Sequence, residues 1–196
     1  PNTATVTNYE AITETTKTVE ITVNKAPAPA LSWPAATSVT FGDTLSDSAL
    51  TGGSTAYGSF AWTDSDTVPT VENSGYSVTF TPNAATTANY DAITETAKTV
   101  EITVNKAPAP TLVWPAAATV TYGDTLSDSA LTGGSTAYGS FAWTDNNTVP
   151  TVENNGYSVT FTPNAATTAN YEAITETTKT VGITVNKAPA PTLVWP

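Results

Sequence analysis

The sequence contains no cysteine, no methionine, no histidine and no arginine among its 196 residues. Without thiols the chain can form neither disulfides nor thiolate metal sites, so its stability must come from packing. Without histidine, cysteine or arginine, the usual catalytic triads, thiol nucleophiles and phosphate clamps are missing, so we expect no enzyme and no cofactor. The missing sulfur also fits an extracellular chain, where oxidisable side chains are a liability.

Positive charge is scarce as well, since the sequence has 17 acidic residues and only six lysines, which gives a net charge of −11. Nucleic acid and anionic lipid surfaces are therefore poor partners, because little here could replace the counterions of a phosphate backbone. No apolar run approaches the roughly 18 residues that a membrane-crossing helix needs, so we expect no membrane insertion in this segment. No signal peptide is visible, and a chain that begins with Pro1 is interpreted as a piece of a longer protein.

Threonine is abundant, with 43 residues, and gives the chain a β-forming composition. Apolar residues alternate with Thr, Ser and Glu in several short stretches, and no stretch has helical periodicity. This period of two predicts sheets with one buried and one wet face. The predicted strands cover residues 30–33, 38–41, 58–62, 76–80 and 100–104.

The turn before Tyr76 reads Asn73-Ser74-Gly75, and its later copy reads Asn154-Asn155-Gly156. Asn-Gly is a strong hairpin signal because both central residues of the turn must tolerate positive φ. The sequence therefore predicts a hairpin turn at this point.

A unit of 81 residues is repeated along the chain. Residues 27–107 and 108–188 differ at 11 of 81 positions, and residues 1–34 match residues 163–196 in the same way. A period of this length suits one small β domain per repeat. We therefore predict two domains, 27–107 and 108–188, preceded by the closing strands of a truncated repeat (1–26) and followed by the start of the next (189–196).

About six or seven short strands per repeat predict a two-sheet sandwich, and aromatic side chains on the apolar faces are its predicted core. These predicted core aromatics are Trp33, Phe41, Phe60, Trp62, Phe80, Trp114, Tyr122, Phe141, Trp143 and Phe161.

Four groups of residues carry a resemblance to a known family. They are Tyr122-Gly123-Asp124 with Leu126, the VTFTP stretch at 78–82, Asn89-Tyr90, and the VNKA stretch at 104–107. On these residues the whole chain resembles the tandem bacterial immunoglobulin-like repeats of large cell-surface and secreted proteins. The resemblance implies an all-β fold of Ig-like β-sandwich domains, used as a stalk or spacer in adhesins and surface-layer proteins. It brings no active-site residues with it.

The stretch ITVNKAPAP occurs three times, at residues 21–29, 102–110 and 183–191. Alternating proline favours an extended backbone and cannot pair fully in a sheet, so residues 107–110 are interpreted as a semi-rigid linker. Such linkers predict domains arranged end to end as an elongated rod. The predicted junction residues are Lys25, Pro27, Pro29, Lys106, Pro108, Pro110, Lys187, Pro189 and Pro191.

Three kinds of chemical site are weighed against surface or core roles. Asp64 and Asp66 form the closest carboxylate pair, but one of the two is lost in the second copy. Asp43 and Asp47 are kept as Asp124 and Asp128, but they lack the dense ligand loop of a calcium site and are interpreted as turn and cap carboxylates. The third is a glycan platform built from aromatic rings. Its residues, Trp33, Tyr57, Trp62 and Tyr90, are what a sandwich core needs in any case.

The favoured function is a structural spacer that projects a distal adhesive or functional region from a cell surface, with neighbouring repeats as partners. The alternative is a self-assembling extracellular filament, because Val19, Ile21 and Val23 would form an apolar strand that seeks another copy of the chain by strand exchange. A third reading is a binding module that uses surface loops at residues 46–55 and 84–89.

Overall fold

The computed structural model describes residue 7, residues 9–14 and residues 16–195. Within residues 16–195 the chain is mostly β, with small sheets and two short α-helices. Residues 27–107, here called repeat 1, contain β1 (Ala35–Ala36), β2 (Val39–Thr40), a 3-10 helix (Leu45–Asp47), β3 (Leu50–Thr51), β4 (Gly58–Trp62), β5 (Tyr76–Pro82), α1 (Ala84–Asn89), β6 (Ala97–Val100) and β7 (Val104–Asn105).

Residues 108–188, here called repeat 2, contain the same elements in the same order. They are β8 (Ala116–Ala117), β9 (Val120–Thr121), a 3-10 helix (Leu126–Asp128), β10 (Leu131–Thr132), β11 (Gly139–Trp143), β12 (Tyr157–Pro163), α2 (Ala165–Asn170), β13 (Thr178–Val181) and β14 (Val185–Asn186).

The strands of each repeat form three small sheets. In repeat 1, β4, β5 and β6 form an antiparallel sheet with β5 in the centre, β1 pairs antiparallel with β3, and β2 pairs parallel with β7. Repeat 2 pairs its strands in the same way. The all-β class predicted from composition and alternation is therefore confirmed.

Each repeat has its own hydrophobic cluster. In repeat 1 it includes Leu45, Val78 and Val104, which are 1%, 0% and 5% exposed, and the second cluster contains the matching residues of repeat 2. The indole nitrogen of Trp62 donates a hydrogen bond to the carbonyl oxygen of Ser48 at 3.0 Å, which satisfies its only polar group inside this cluster. The central strand thus carries the apolar face that its alternation predicts.

The predicted core aromatics occupy three kinds of position. Phe80, Phe161, Trp62 and Trp143 are buried, whereas Trp33, Trp114, Phe41, Phe60 and Phe141 are half-buried. Tyr122 is 52% exposed and is absent from the cluster of repeat 2, so the prediction that it belongs to the core is wrong. Alternation with Val120 placed it on the core face. Phe41 follows β2 in the same way but is half-buried, with its ring 5.3 Å from that of Tyr171, so burial at this position depends on a contact with the other repeat and not on alternation.

The stretch predicted as one strand at residues 100–104 is two strands. β6 ends at Val100, which pairs with Tyr76, and β7 begins at Val104, which pairs with Val39 in another sheet. Ile102 lies between the two strands and is still only 7% exposed. The alternation therefore predicts that every second side chain is buried. It does not predict that the whole stretch pairs with a single neighbouring strand.

The strand predicted at residues 30–33 is also wrong, because the first strand begins at Ala35. The backbone of Ser32 bonds instead to Ser54, accepting from its N–H at 2.9 Å and donating to its hydroxyl at 2.7 Å. Pro34 offers no N–H to a ladder. The segment therefore lies against a loop, where the ring of Trp33 packs 5.3 Å from that of Phe60.

The hairpin predicted at Asn73-Ser74-Gly75 is a turn of a different kind. It ends a long connection between β4 and β5, and only Gly75 has a positive φ, of +83°. The side-chain oxygen of Asn73 accepts from the Gly75 N–H at 2.9 Å, which holds the turn locally. The second copy is built in the same way around Asn154 and Gly156.

Two helices were not predicted from the sequence. In α1 the side-chain oxygen of Asn83 caps the first turn by accepting from the N–H of Thr86 at 2.8 Å. Residues 84–89, predicted as a surface loop, are thus a helix, and residues 165–170 form the matching helix of repeat 2. Six residues are too short to show a 3.6-residue period, but an asparagine followed by two alanines is a usable start signal.

Candidate functional site at the junction between the repeats

Carboxylates are the first candidates for chemistry, and those of the loop after β2 act on the backbone beside them. The Asp47 carboxylate accepts hydrogen bonds from the backbone N–H and the hydroxyl of Thr44, both at 2.9 Å. The backbone bond, followed by the hydroxyl bond, lowers the pKa of Asp47 below its ordinary value. Asp43 accepts from the N–H of Thr40 at 2.9 Å. Both carboxylates therefore hold turns.

The remaining candidate carboxylates do not converge. The Asp64 carboxylate accepts from the hydroxyl of Thr67 at 2.9 Å, and both Asp64 and Asp66 are exposed. Among the residues that the structure describes, no three His, Cys, Asp or Glu side chains lie close enough to hold a metal ion together.

The aromatic residues considered as a glycan platform pack against one another or the core. Tyr57 and Tyr90 meet edge to face at 5.7 Å, and Trp62 is 9% exposed. Trp33 is half-buried against Phe60. These rings offer no shared flat face of the kind that stacks on sugars.

The structure instead brings residues together where repeat 1 meets repeat 2. The backbone of Ala107 donates to the carbonyl of Asn170 at 3.0 Å and accepts from the N–H of Glu172 at 2.8 Å. The ammonium of Lys106 donates to the carbonyl of Thr168 at 2.7 Å. The end of repeat 1 is therefore bound to the carboxyl end of α2, where helix carbonyls lack intrahelical partners and attract positive charge.

Two further contacts join other parts of repeat 1 to the same end of α2. The N–H of Val71 donates to the side-chain oxygen of Asn170 at 3.0 Å. The ring of Phe41 meets the ring of Tyr171 edge to face, with centroids 5.3 Å apart. We call the set Phe41, Val71, Lys106, Ala107, Asn170 and Tyr171 the junction site.

The linker predicted at residues 107–110 is shorter than expected. Ala107 is 8% exposed and forms a β-bridge with Tyr171, so it belongs to a hydrogen-bonded contact and not to a free spacer. The lysine and the alanine that precede the first proline pair make the same contacts with α1: Lys25 donates to the carbonyl of Thr87 at 2.8 Å, and Ala26 bridges Tyr90.

The other predicted junction residues lie on the surface. Pro29 and Pro110 are half-buried, and the rest of this group is exposed: Pro27, Pro108, Lys187, Pro189 and Pro191. The sequence interpretation thus named Lys106, which bonds across the junction, but missed Asn170, Tyr171 and Val71. Their copies Asn89, Tyr90 and Val152 lie in nearly identical sequence, so no clear sequence signal separates a residue at this junction from its copy.

The apolar stretch before the first junction is exposed. Val19, Ile21 and Val23 are 76%, 82% and 85% exposed, and residues 16–25 form no strand. Their counterparts Val100, Ile102 and Val104 are all buried. Residues 1–6, 8, 15 and 196, which belong to the predicted incomplete repeats, lie outside the described residues.

No helix within the described part of the chain is long and apolar enough to cross a membrane. The chain matches no family model, no curated protein and no solved structure.

Proposed function

We propose that this chain is a structural spacer, a stalk segment of a bacterial cell-surface or extracellular protein that projects a distal adhesive or functional region. The observation that carries the proposal is the junction site, in which the end of repeat 1 bonds directly to α2 of repeat 2. A spacer needs its units held in a constant relation, and direct bonds between them supply this better than a linker alone.

Under this proposal each repeat is an immunoglobulin-like sandwich domain, and the domains follow one another as a rod. Separate hydrophobic clusters in the two repeats support the idea of separate units. The prolines after Ala107, of which Pro108 is exposed and Pro110 half-buried, limit the directions that the chain can take. The net charge of −11 repels neighbouring chains and keeps a dense surface layer from collapsing.

Sedimentation velocity over a wide dilution series tests the proposal. We expect a mass that stays at the 20.2 kDa of one chain, with a frictional ratio well above that of a compact protein. A frictional ratio typical of a compact sphere would contradict a spacer.

A second function is favoured by one specific observation, the exposure of Val19, Ile21 and Val23. This stretch nearly repeats the sequence of β6 and β7, so by strand exchange it would fill the apolar groove that those strands fill in another copy. The chain would then be a filament subunit joined by strand addition between copies.

The same sedimentation series separates the two functions. A filament subunit gains mass as concentration rises, and Ile21→Asp abolishes the gain because a charge cannot enter the apolar groove. Ile21 is 82% exposed, so this substitution leaves the fold of one chain intact. A mass that does not change with concentration rules the filament out.

A further inference from the structure

Asn89 and Asn170 occupy identical sequence surroundings, AATTANY, yet differ in burial. Asn170 is 7% exposed, whereas Asn89 is exposed. Both side chains donate to the carbonyl four residues earlier, Asn89 to Ala85 at 2.8 Å and Asn170 to Ala166 at 3.0 Å. The difference is therefore not in how each residue serves its own helix.

The difference lies in what reaches the side-chain oxygen. The side-chain oxygen of Asn170 accepts from the N–H of Val71 in the other repeat. None of the described residues donates to the side-chain oxygen of Asn89. The partner differs in the same sense, because Val71 is half-buried and its counterpart Val152 is 38% exposed. The same two positions thus occur in two states within one chain. Val71 and Asn170 are hydrogen-bonded at the junction, whereas their counterparts Val152 and Asn89 are both exposed.

The aromatic contact follows the same division. Phe41 lies against the ring of Tyr171 and is half-buried, whereas its counterpart Tyr122 is 52% exposed. Phe41 follows β2 and Val71 lies between β4 and β5, so the two contacts come from separate loops of repeat 1.

We propose that the carboxyl end of α2 is a recognition site for the preceding repeat, and that Asn170 and Tyr171 fix the orientation of the two repeats. The bridge at Ala107 is a single point of attachment, about which two bodies can still turn. Contacts at Val71 and Phe41 add two points that do not lie on the connecting chain, and three separate points define an orientation. This inference rests on the proposed spacer function and assigns its rigidity to side chains and not to the proline segment.

Double electron–electron resonance between two spin labels tests the inference on the full chain. Ser59→Cys and Ser140→Cys place the labels at equivalent exposed positions, and they are unique because the chain has no cysteine of its own. We expect a narrow distance distribution in the unaltered background. Asn170→Ala should broaden it about twofold or more, as for domains that lack a fixed interface.

Asn89→Ala is the matched control, because it removes the same helix hydrogen bond but no bond between repeats. Its distribution should stay narrow. Phe41→Ala and Tyr122→Ala form a second pair with the same expectation, broad for the first and narrow for the second, in case Asn170→Ala impairs folding.

The remaining outcomes overturn the inference in distinguishable ways. A narrow distribution in both Asn170→Ala and Phe41→Ala would show that the proline segment holds the orientation, which leaves the spacer function standing. Equal broadening by Asn170→Ala and Asn89→Ala would assign the effect to the helices and not to recognition between repeats. A broad distribution in the unaltered background would refute the inference and the spacer function together.

Discussion

Single side chains in this molecule act mainly on the backbone around them. The Asn73 side chain accepts from Gly75 and donates to the carbonyl of Thr70, and the Asp47 carboxylate binds the N–H and the hydroxyl of Thr44. Such local bonds fix turns that would otherwise lose conformational entropy without compensation. In a chain without disulfides, they are the devices that hold the loops between short strands.

Gly75→Ala should destabilise repeat 1 by about 2–3 kcal/mol, because strained backbone costs about 1–3 kcal/mol and a clash adds to it here. Gly75 has φ of +83°, and a β-carbon there would lie 2.6 Å from the carbonyl oxygen of Val100. Urea unfolding followed by tryptophan fluorescence measures the loss.

Gly42→Ala is the control for this prediction, since Gly42 has φ of +106° but open space around the added atom. It should cost only about 1 kcal/mol, the lower end of the strain term. Equal losses in the two variants would show that the contact with Val100 is unimportant.

Acid should weaken the molecule partly through Asp47 and Asp128. Bonds from the backbone N–H and the hydroxyl of the threonine three residues earlier, Thr44 or Thr125, lower the pKa of each carboxyl in the folded state. A folded pKa below the unfolded one contributes stability that is present above about pH 4 and is lost as the pH falls through the folded pKa.

The double variant Asp47→Asn with Asp128→Asn should therefore be less stable at pH 7 and lose less stability on acidification. Urea midpoints measured at steps from pH 7 to pH 2 provide the comparison. Parallel curves for the variant and the unaltered chain would contradict the role assigned to the two carboxylates.

At the scale of elements, one repeated stretch of sequence is buried in one part of the chain and exposed in another. Val100, Ile102 and Val104 are buried in the hydrophobic cluster of repeat 1, whereas Val19, Ile21 and Val23 carry the same pattern and are exposed. The apolar alternation thus determines which side chains can be buried. Whether they are buried depends on β2 and β5, the strands that pair with β7 and β6.

Ile102→Ala should destabilise repeat 1 by about 2–5 kcal/mol, the usual cost of removing a buried aliphatic side chain. Because repeat 2 keeps its own cluster, the urea transition should split, with part of the signal moving to lower denaturant. Ile21→Ala removes the same atoms from an exposed position and should change stability by less than about 0.5 kcal/mol. A single unsplit transition for Ile102→Ala would show that the repeats unfold as one unit.

The strands with one buried face were predictable, and the elements set by local chemistry were not. β4 spans its predicted range and β5 begins at its predicted start, because alternation and pairing coincide there, although β5 continues to Pro82. The stretch at 100–104 changes sheets without losing its alternation, and α1 is too short to show a helical period. Sequence patterns thus failed to predict an element where the buried residues are not the ones that pair in a sheet, or where a short helix depends on its capping residue.

At the scale of the whole molecule, the junction site could not be located from the sequence. Asn89 and Asn170 have identical neighbours, and only the position of the other repeat separates them. Lys106 and the prolines were predicted as junction residues because their spacing marks where one repeat ends, but only Lys106 belongs to the junction site. What these residues contact depends on long-range packing, which the repeated sequence leaves open.

The proposed spacer requires that the two repeats extend from one another and keep that arrangement. The junction site joins them at three places, and the prolines after Ala107 discourage folding back. A molecule of this kind is long for its mass and does not change shape with concentration.

Small-angle X-ray scattering across a dilution series tests this claim most directly. We predict the mass of a single chain at every concentration, one rod-like conformer that fits the profile, and a radius of gyration well above the roughly 16 Å of a compact chain of this length. A radius near that value, a profile that needs many conformers, or a mass that grows with concentration would contradict the account.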